Sequence, residues 1–171
     1  MKKNVMTMAD VTAIVKKTAA YAIAYPETFR PGTESFAFYE KMSGICCTGL
    51  EHFTEMKDAR PLLDILEVFA ETGRPEAEAM YGAWLCKDEK PWYNPLIGKI
   101  MLMRAIDGVE NAGENAPSVM LTYAVHILEG KGWFRKDEAL ARQWLVRSAE
   151  LGCTDARTLV DAMDAYHARR R

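Results

Sequence analysis

Ser148-Ala149-Glu150-Leu151-Gly152 is the stretch from which the fold is read, because its pattern stands twice more in the chain, as Phe69-Ala70-Glu71-Thr72-Gly73 and Arg104-Ala105-Ile106-Asp107-Gly108. Each copy sets an alanine three residues before a glycine. Two continue alike, with Ala77 and Ala156 four residues after Gly73 and Gly152. A glycine takes the left-handed conformation that closes a helix, and a small residue lets the next helix dock closely. Recurrence at 35 residues (73 to 108) and 44 residues (108 to 152) is the spacing of stacked helical hairpins. A shift of 79 residues lays Asp58 on Asp137, Ile65 on Trp144, Leu66 on Leu145 and Ala70-Glu71 on Ala149-Glu150. A shift of 42 lays Met80-Tyr81-Gly82-Ala83-Trp84-Leu85 on Thr122-Tyr123-Ala124-Val125-His126-Ile127. The residues from Val109 to Ala116 then read as an insertion in one joint.

Outward from these phrases, apolar residues recur at three and four, and no alternating run or Asn-Gly hairpin signals a strand. A first helix over about 8–24 carries Val11, Ile14, Val15, Tyr21 and Ala22 and is stopped by Pro26 and Pro31-Gly32. A second runs from Glu34 to Phe53, and a third from Ala59 to Thr72 with Pro61 in its first turn. Five more follow at about 75–87, 95–107, 117–129, 137–151 and 154–168. Eight helices with short joints make an all-α fold of about four antiparallel hairpins. Residues 1–33 stand apart from the repeat and read as an N-terminal capping helix and loop on the solenoid of residues 34–171.

The unit at 119–156 carries Gly130-Lys131-Gly132 after its first helix, Asp137 opening its second, then Ala141, Trp144-Leu145, the phrase ending in Gly152, and Ala156. In these features it resembles the Sel-one-like repeat, a relative of the tetratricopeptide repeat. Residues 77–108 resemble it through Ala77 and Gly82, although Lys87-Asp88-Glu89-Lys90-Pro91 stands in place of the two-glycine turn. Upstream, 58–73 fits the second helix of a unit, 36–53 fits a first helix poorly, and 1–33 has no counterpart. The resemblance implies a right-handed α/α superhelix that serves as an adaptor or partner-binding surface, with no catalytic residues to carry over.

At 171 residues and 49% hydrophobic, the chain can bury a sizeable core. Its 22 basic and 24 acidic residues leave a net charge of −2, which argues against a nucleic-acid or membrane partner. The basic run His167-Ala168-Arg169-Arg170-Arg171 reads as a solvated end. Lys2 and Lys3 are followed by Asp10, Lys16 and Lys17 rather than an apolar run, so neither a signal peptide nor a span of ~18 apolar residues is expected. Cys46, Cys47, Cys86 and Cys153 lack zinc spacing and read as reduced core thiols of a cytoplasmic protein.

Chemistry is sought first at the histidines. His126 with Glu129 and His52 with Glu55 stand at i, i+3, and Asp161, Asp164 and His167 follow at i, i+3, i+6. Each spacing shares a helix face, but none supplies enough ligands for a metal alone. No phosphate loop or nucleophile elbow occurs, so no catalytic residue, metal or cofactor is expected. A rival reading, a small metal-dependent hydrolase, would use His126 and Glu129 with carboxylates of neighbouring helices.

The aromatic residues point elsewhere. Equivalent turns hold Pro91-Trp92-Tyr93-Asn94-Pro95 and Gly132-Trp133-Phe134-Arg135-Lys136. Large aromatics beside charges are the content of protein-binding hot spots. One aromatic per turn can instead plug its own hairpin, which is the reading taken for Trp133, while Trp92 and Tyr93 are open to either. An inner helix face aligns Trp84 with His126 and Lys87 with Glu129; there Trp84 is read as core, as is Trp144. The expectation is a non-catalytic protein-interaction module, monomeric or weakly dimeric. It binds as an adaptor or as an immunity protein against a secreted bacterial toxin, through Trp92, Tyr93, Trp133, Phe134, Arg135, Trp84, Lys87, His126 and Glu129.

Overall fold

Thr7, Thr33, Asn94 and Asp137 each turn a side-chain oxygen onto the amide three residues ahead, and a helix begins after each of them. The computed structural model describes residues 7–28 and 32–170, which hold helices and no strand. The helices are α1 (Met8–Ala24), α2 (Glu34–His52), α3 (Met56–Ala70), α4 (Pro75–Leu85), α5 (Pro95–Asp107), α6 (Ala116–Glu129), α7 (Glu138–Glu150) and α8 (Thr154–Ala168). None is long and apolar enough to cross a membrane. Pro31, which was expected to help stop the first helix, lies outside the described residues, as do the first six residues and Arg171.

The chain forms two compact units. One runs to Gly73 and takes in Lys90–Trp92; the other holds Arg74–Glu89 and the chain from Tyr93 onward. In the first, α1 and α2 both pack on α3. The core-facing stripe of α2 is Phe36, Tyr39, Ser43, Cys46 and Leu50, spaced by threes and fours, and Tyr39 meets Phe69 edge-on at 4.9 Å. Lys90 belongs to this core: its ammonium donates to the carbonyls of Leu50, Glu51 and Phe53 at 2.9–3.2 Å. A cation at a helix C-terminus satisfies carbonyls that have no partner within the helix and faces the negative end of the dipole.

Two expectations change in this unit. The face drawn for α1 is narrower than its apolar residues imply, because Val15 and Ala19 are buried while Ile14 and Tyr21 stay exposed. Pro61 lies inside α3 rather than in its first turn, since the helix starts at Met56. It therefore withholds the amide that the Lys57 carbonyl would accept.

In the second unit α4 pairs with α5, α6 with α7 and α7 with α8, while α6 also packs on α4. The α4–α5 contact is close because both sides are glycine. A methyl on Gly82 would stand 2.8 Å from the Gly98 carbonyl oxygen, and one on Gly98 2.6 Å from the Cys86 sulfur. The core around this crossing gathers Leu102, Ile106, Met120, Ile127, Phe134 and Ala141. It also takes Val109 and Ala112 from the insertion, which coils into a 3-10 segment (Val109–Asn115) kinked at Gly113. Trp144 keeps some exposure and packs beside this cluster and the smaller one formed by Ala124, Leu145, Ala149 and Ala156.

The repeated phrase is structural. Ala70, Ala105 and Ala149 are buried, as are Ala77 and Ala156. Gly73 and Gly152 take positive φ of 72° and 98° after α3 and α7. Gly108 does not: its φ is −94°, because the chain runs on into the 3-10 segment and needs no reversal.

Candidate functional site

The second unit carries a cleft between the turn after α4 and the turn after α6. Residues 130–133 shape it. Gly130 takes φ 72° and Gly132 φ 60°, and Trp133 follows at φ 63°, the one non-glycine residue with positive φ among the described residues. The Lys131 amide donates to the His126 carbonyl at 3.0 Å, the Phe134 amide to the Lys131 carbonyl at 3.1 Å, and the Asp137 amide to the Ile127 carbonyl at 3.2 Å. These bonds end α6 and start α7. Gly132 sits against Cys86, where a methyl would come 2.1 Å from the sulfur.

Two adjoining cavities open here. One, of about 310 Å³, is bounded by Cys86, Asp88, Tyr93, Glu129, Gly130, Lys131, Gly132 and Trp133. The other, of about 280 Å³, is bounded by Ala83, Cys86, Lys87, Glu89, Val125, His126, Glu129 and Lys131. Cys86, Glu129 and Lys131 are common to both.

Three groups set the electrostatics. Lys131 pairs with Glu129 at 2.7 Å, and that bond, with the nearby Glu89 and Asp88, holds its ammonium above the usual lysine range. Lys87 lies over the Trp84 ring, 3.8 Å from its centre. Burial pushes the His126 imidazole below its ordinary value, partly offset by the Thr122 carbonyl and Glu129. Nδ1 of His126 stands 2.8 Å from the Thr122 carbonyl oxygen. A carbonyl only accepts, so Nδ1 carries the proton of the neutral ring and Nε2 is the acceptor. The Cys86 thiol is raised to about 11 by burial, which makes it inert as a nucleophile.

Of the residues singled out in the sequence, the cleft unites Tyr93 and Trp133 in one cavity and Lys87, His126 and Glu129 in the other. Trp84 is buried beneath Lys87. Trp92 is 4% exposed, belongs to the first unit and lies 5.4 Å from the Lys90 ammonium. Arg135 is exposed and borders neither cavity. The reading of Trp133 as a plug is corrected. Its side chain is 63% exposed, and Phe134, at 9%, fills the hairpin edge-on to Tyr123 at 5.6 Å. The left-handed backbone at Gly132 and Trp133 turns the first aromatic outward and the second inward.

Sequence reasoning passed over Asp88, Glu89 and Lys131. The signal was present, since Lys87-Asp88-Glu89-Lys90 is a charged run where the turn after α6 has Gly130 and Gly132, yet spacing alone does not bring that run to the α6 turn. Of the other grouped residues, Asp164 holds Arg142 at 2.9 Å, and His167 meets Glu138. Among the described residues no three His, Cys, Asp or Glu side chains converge as metal ligands. Compared with known protein families, with curated proteins and with solved structures, the chain matches none.

Proposed function

We propose that the chain is a non-catalytic protein-binding module whose second unit engages a partner protein through the cleft between its two turns. The observation that carries the reading is Trp133. A non-glycine residue in the left-handed region costs about 1–2 kcal/mol, and leaving an indole 63% exposed forgoes its burial as well. Strain kept together with an exposed aromatic fits a contact made with another molecule. The turn is also pinned, since the Lys99 ammonium donates to the Trp133 carbonyl at 3.2 Å. Lys99 stands on α5, where Leu96, Ile100 and Met103 form an exposed apolar stripe at i, i+4, i+7.

The resemblance to Sel-one-like repeats supports the same class of role in a right-handed superhelix. Within it, a cytoplasmic adaptor and an immunity protein against a secreted toxin are the two forms proposed. The test is a photo-crosslinking amino acid placed at position 133 of the full chain and, as a control, at the exposed Arg169. A protein adduct specific to position 133, lost when Tyr93→Ala is added to a folded chain, is the expected result. Equal adducts at both positions would overturn the reading.

A further inference from the structure

The cavity between the turns is bordered by Tyr93 and Trp133 and by two acidic residues, Asp88 and Glu129, with Glu89 on the adjoining cavity. Its own cations are already committed. Lys131 lies on Glu129 at 2.7 Å, Lys87 stacks on Trp84, and Lys99 is held by the Trp133 carbonyl. An ammonium or guanidinium between an exposed indole, a phenol ring and carboxylates gains both ring and charge attraction, whereas an acidic or purely apolar group gains only one or neither. We propose that this cavity receives a cationic side chain, arginine or lysine, of a partner protein, and that Lys131 occupies its acidic end until that side chain displaces it.

Lys131 is suited to the role of an internal placeholder. Its ammonium sits on the exposed rim, with 55% of the side chain accessible, and leaves Glu129 when a stronger donor arrives. Exposed pairs of this kind contribute only about 0–1 kcal/mol, so displacement is cheap. A guanidinium offers a planar donor fork that a lysine cannot match, so arginine is the better occupant. The pairing is also salt-sensitive, because the carboxylates lie at the mouth rather than in the core.

This inference rests on the protein-binding reading but is tested apart from it. The probe is a capped glycine-serine peptide carrying two arginines, titrated into the full chain and followed at the Trp133 indole N–H resonance, which is assigned by its loss in Trp133→Phe. The resonance is expected to shift, and the same peptide with citrulline, which keeps the shape and removes the charge, is expected to bind at least ~10-fold more weakly. Asp88→Asn combined with Glu129→Gln is expected to weaken the arginine peptide by a similar factor, while Lys131→Met tightens it about 3-fold or more by vacating Glu129. Equal binding of citrulline and arginine peptides, no shift of the Trp133 resonance, or unchanged or weaker binding in Lys131→Met would each overturn the inference. A position-133 adduct obtained alongside such a failure leaves the binding module standing and removes only its preference for cations.

Discussion

The turns after α4 and after α6 carry the same kind of aromatic pair and use it in opposite ways. Trp92-Tyr93 buries its first member and exposes its second, with Tyr93 at 40%; Trp133-Phe134 exposes the first and buries the second. No residue from Lys87 to Asn94 has a positive φ, whereas Gly130, Gly132 and Trp133 all do. Sign of φ, not residue type, therefore chooses which ring goes inside. The two turns also differ in what holds them. Lys90, which belongs to the first unit, caps the α2 carbonyls there, and Gly132 seats the turn after α6 against Cys86.

The sharpest way to break this comparison is Gly132→Ala. The added methyl meets both a left-handed backbone and the Cys86 sulfur, so a loss of about 3 kcal/mol or more is expected in chemical denaturation. An unchanged midpoint would mean that the turn relaxes freely and that φ does not set the aromatic order. Of similar size is the contrast within the second turn. Phe134→Ala is expected to lose about 3 kcal/mol, while Trp133→Ala stays within about 0.5 kcal/mol of the parent. If the two variants ranked the other way, Trp133 would be the plug after all.

Lys90→Met tests the cap on α2. Removing three carbonyl contacts at the end of α2 is expected to lower stability by about 1–2 kcal/mol and to speed hydrogen exchange in the last turn of that helix. Exchange that is faster everywhere to the same degree would instead indicate a global effect with no local cap.

The smallest effect concerns His126, whose ring lies edge-on to Phe134 at 6.4 Å. In the folded chain its pKa is below the ordinary 6.5, so as pH falls the unfolded chain takes up the proton first. This group's contribution is complete above 6.5 and is lost as pH falls through that value towards the lowered folded one. His126→Gln is expected to flatten the acid limb of the stability profile. A limb equally steep in the variant would assign it to carboxylates instead.

Much of the fold was legible because its determinants are local. Cap residues lie three positions from the amides they accept, and apolar stripes repeat within one helix, so α1 and α5 to α8 fall within a residue of where spacing puts them. The start of α3 was missed because Pro61 is a strong local signal for a first turn, whereas the helix begins five residues before it with an exposed turn at Met56, Lys57 and Asp58. The cleft was half legible. Tyr93, Trp133, Lys87, His126 and Glu129 were named from the alignment of two units, but Asp88, Glu89 and Lys131 enter through contacts made across more than forty residues of chain (88 to 131).

The Ala and Gly phrases, by themselves, determined where helices stop and which small faces are buried, since both depend on covalent geometry and the helical period. Only the tertiary structure decided that Gly108 keeps an ordinary φ, that Trp92 belongs with the first unit and that Trp133 stays exposed at the border of the cleft. Those outcomes turn on what stands opposite each residue: the 3-10 segment beyond Gly108, the core that takes Trp92, and Cys86 beneath Gly132. A one-dimensional pattern records the ring but not its neighbour, and it is the neighbour that fixes whether a ring is core or contact.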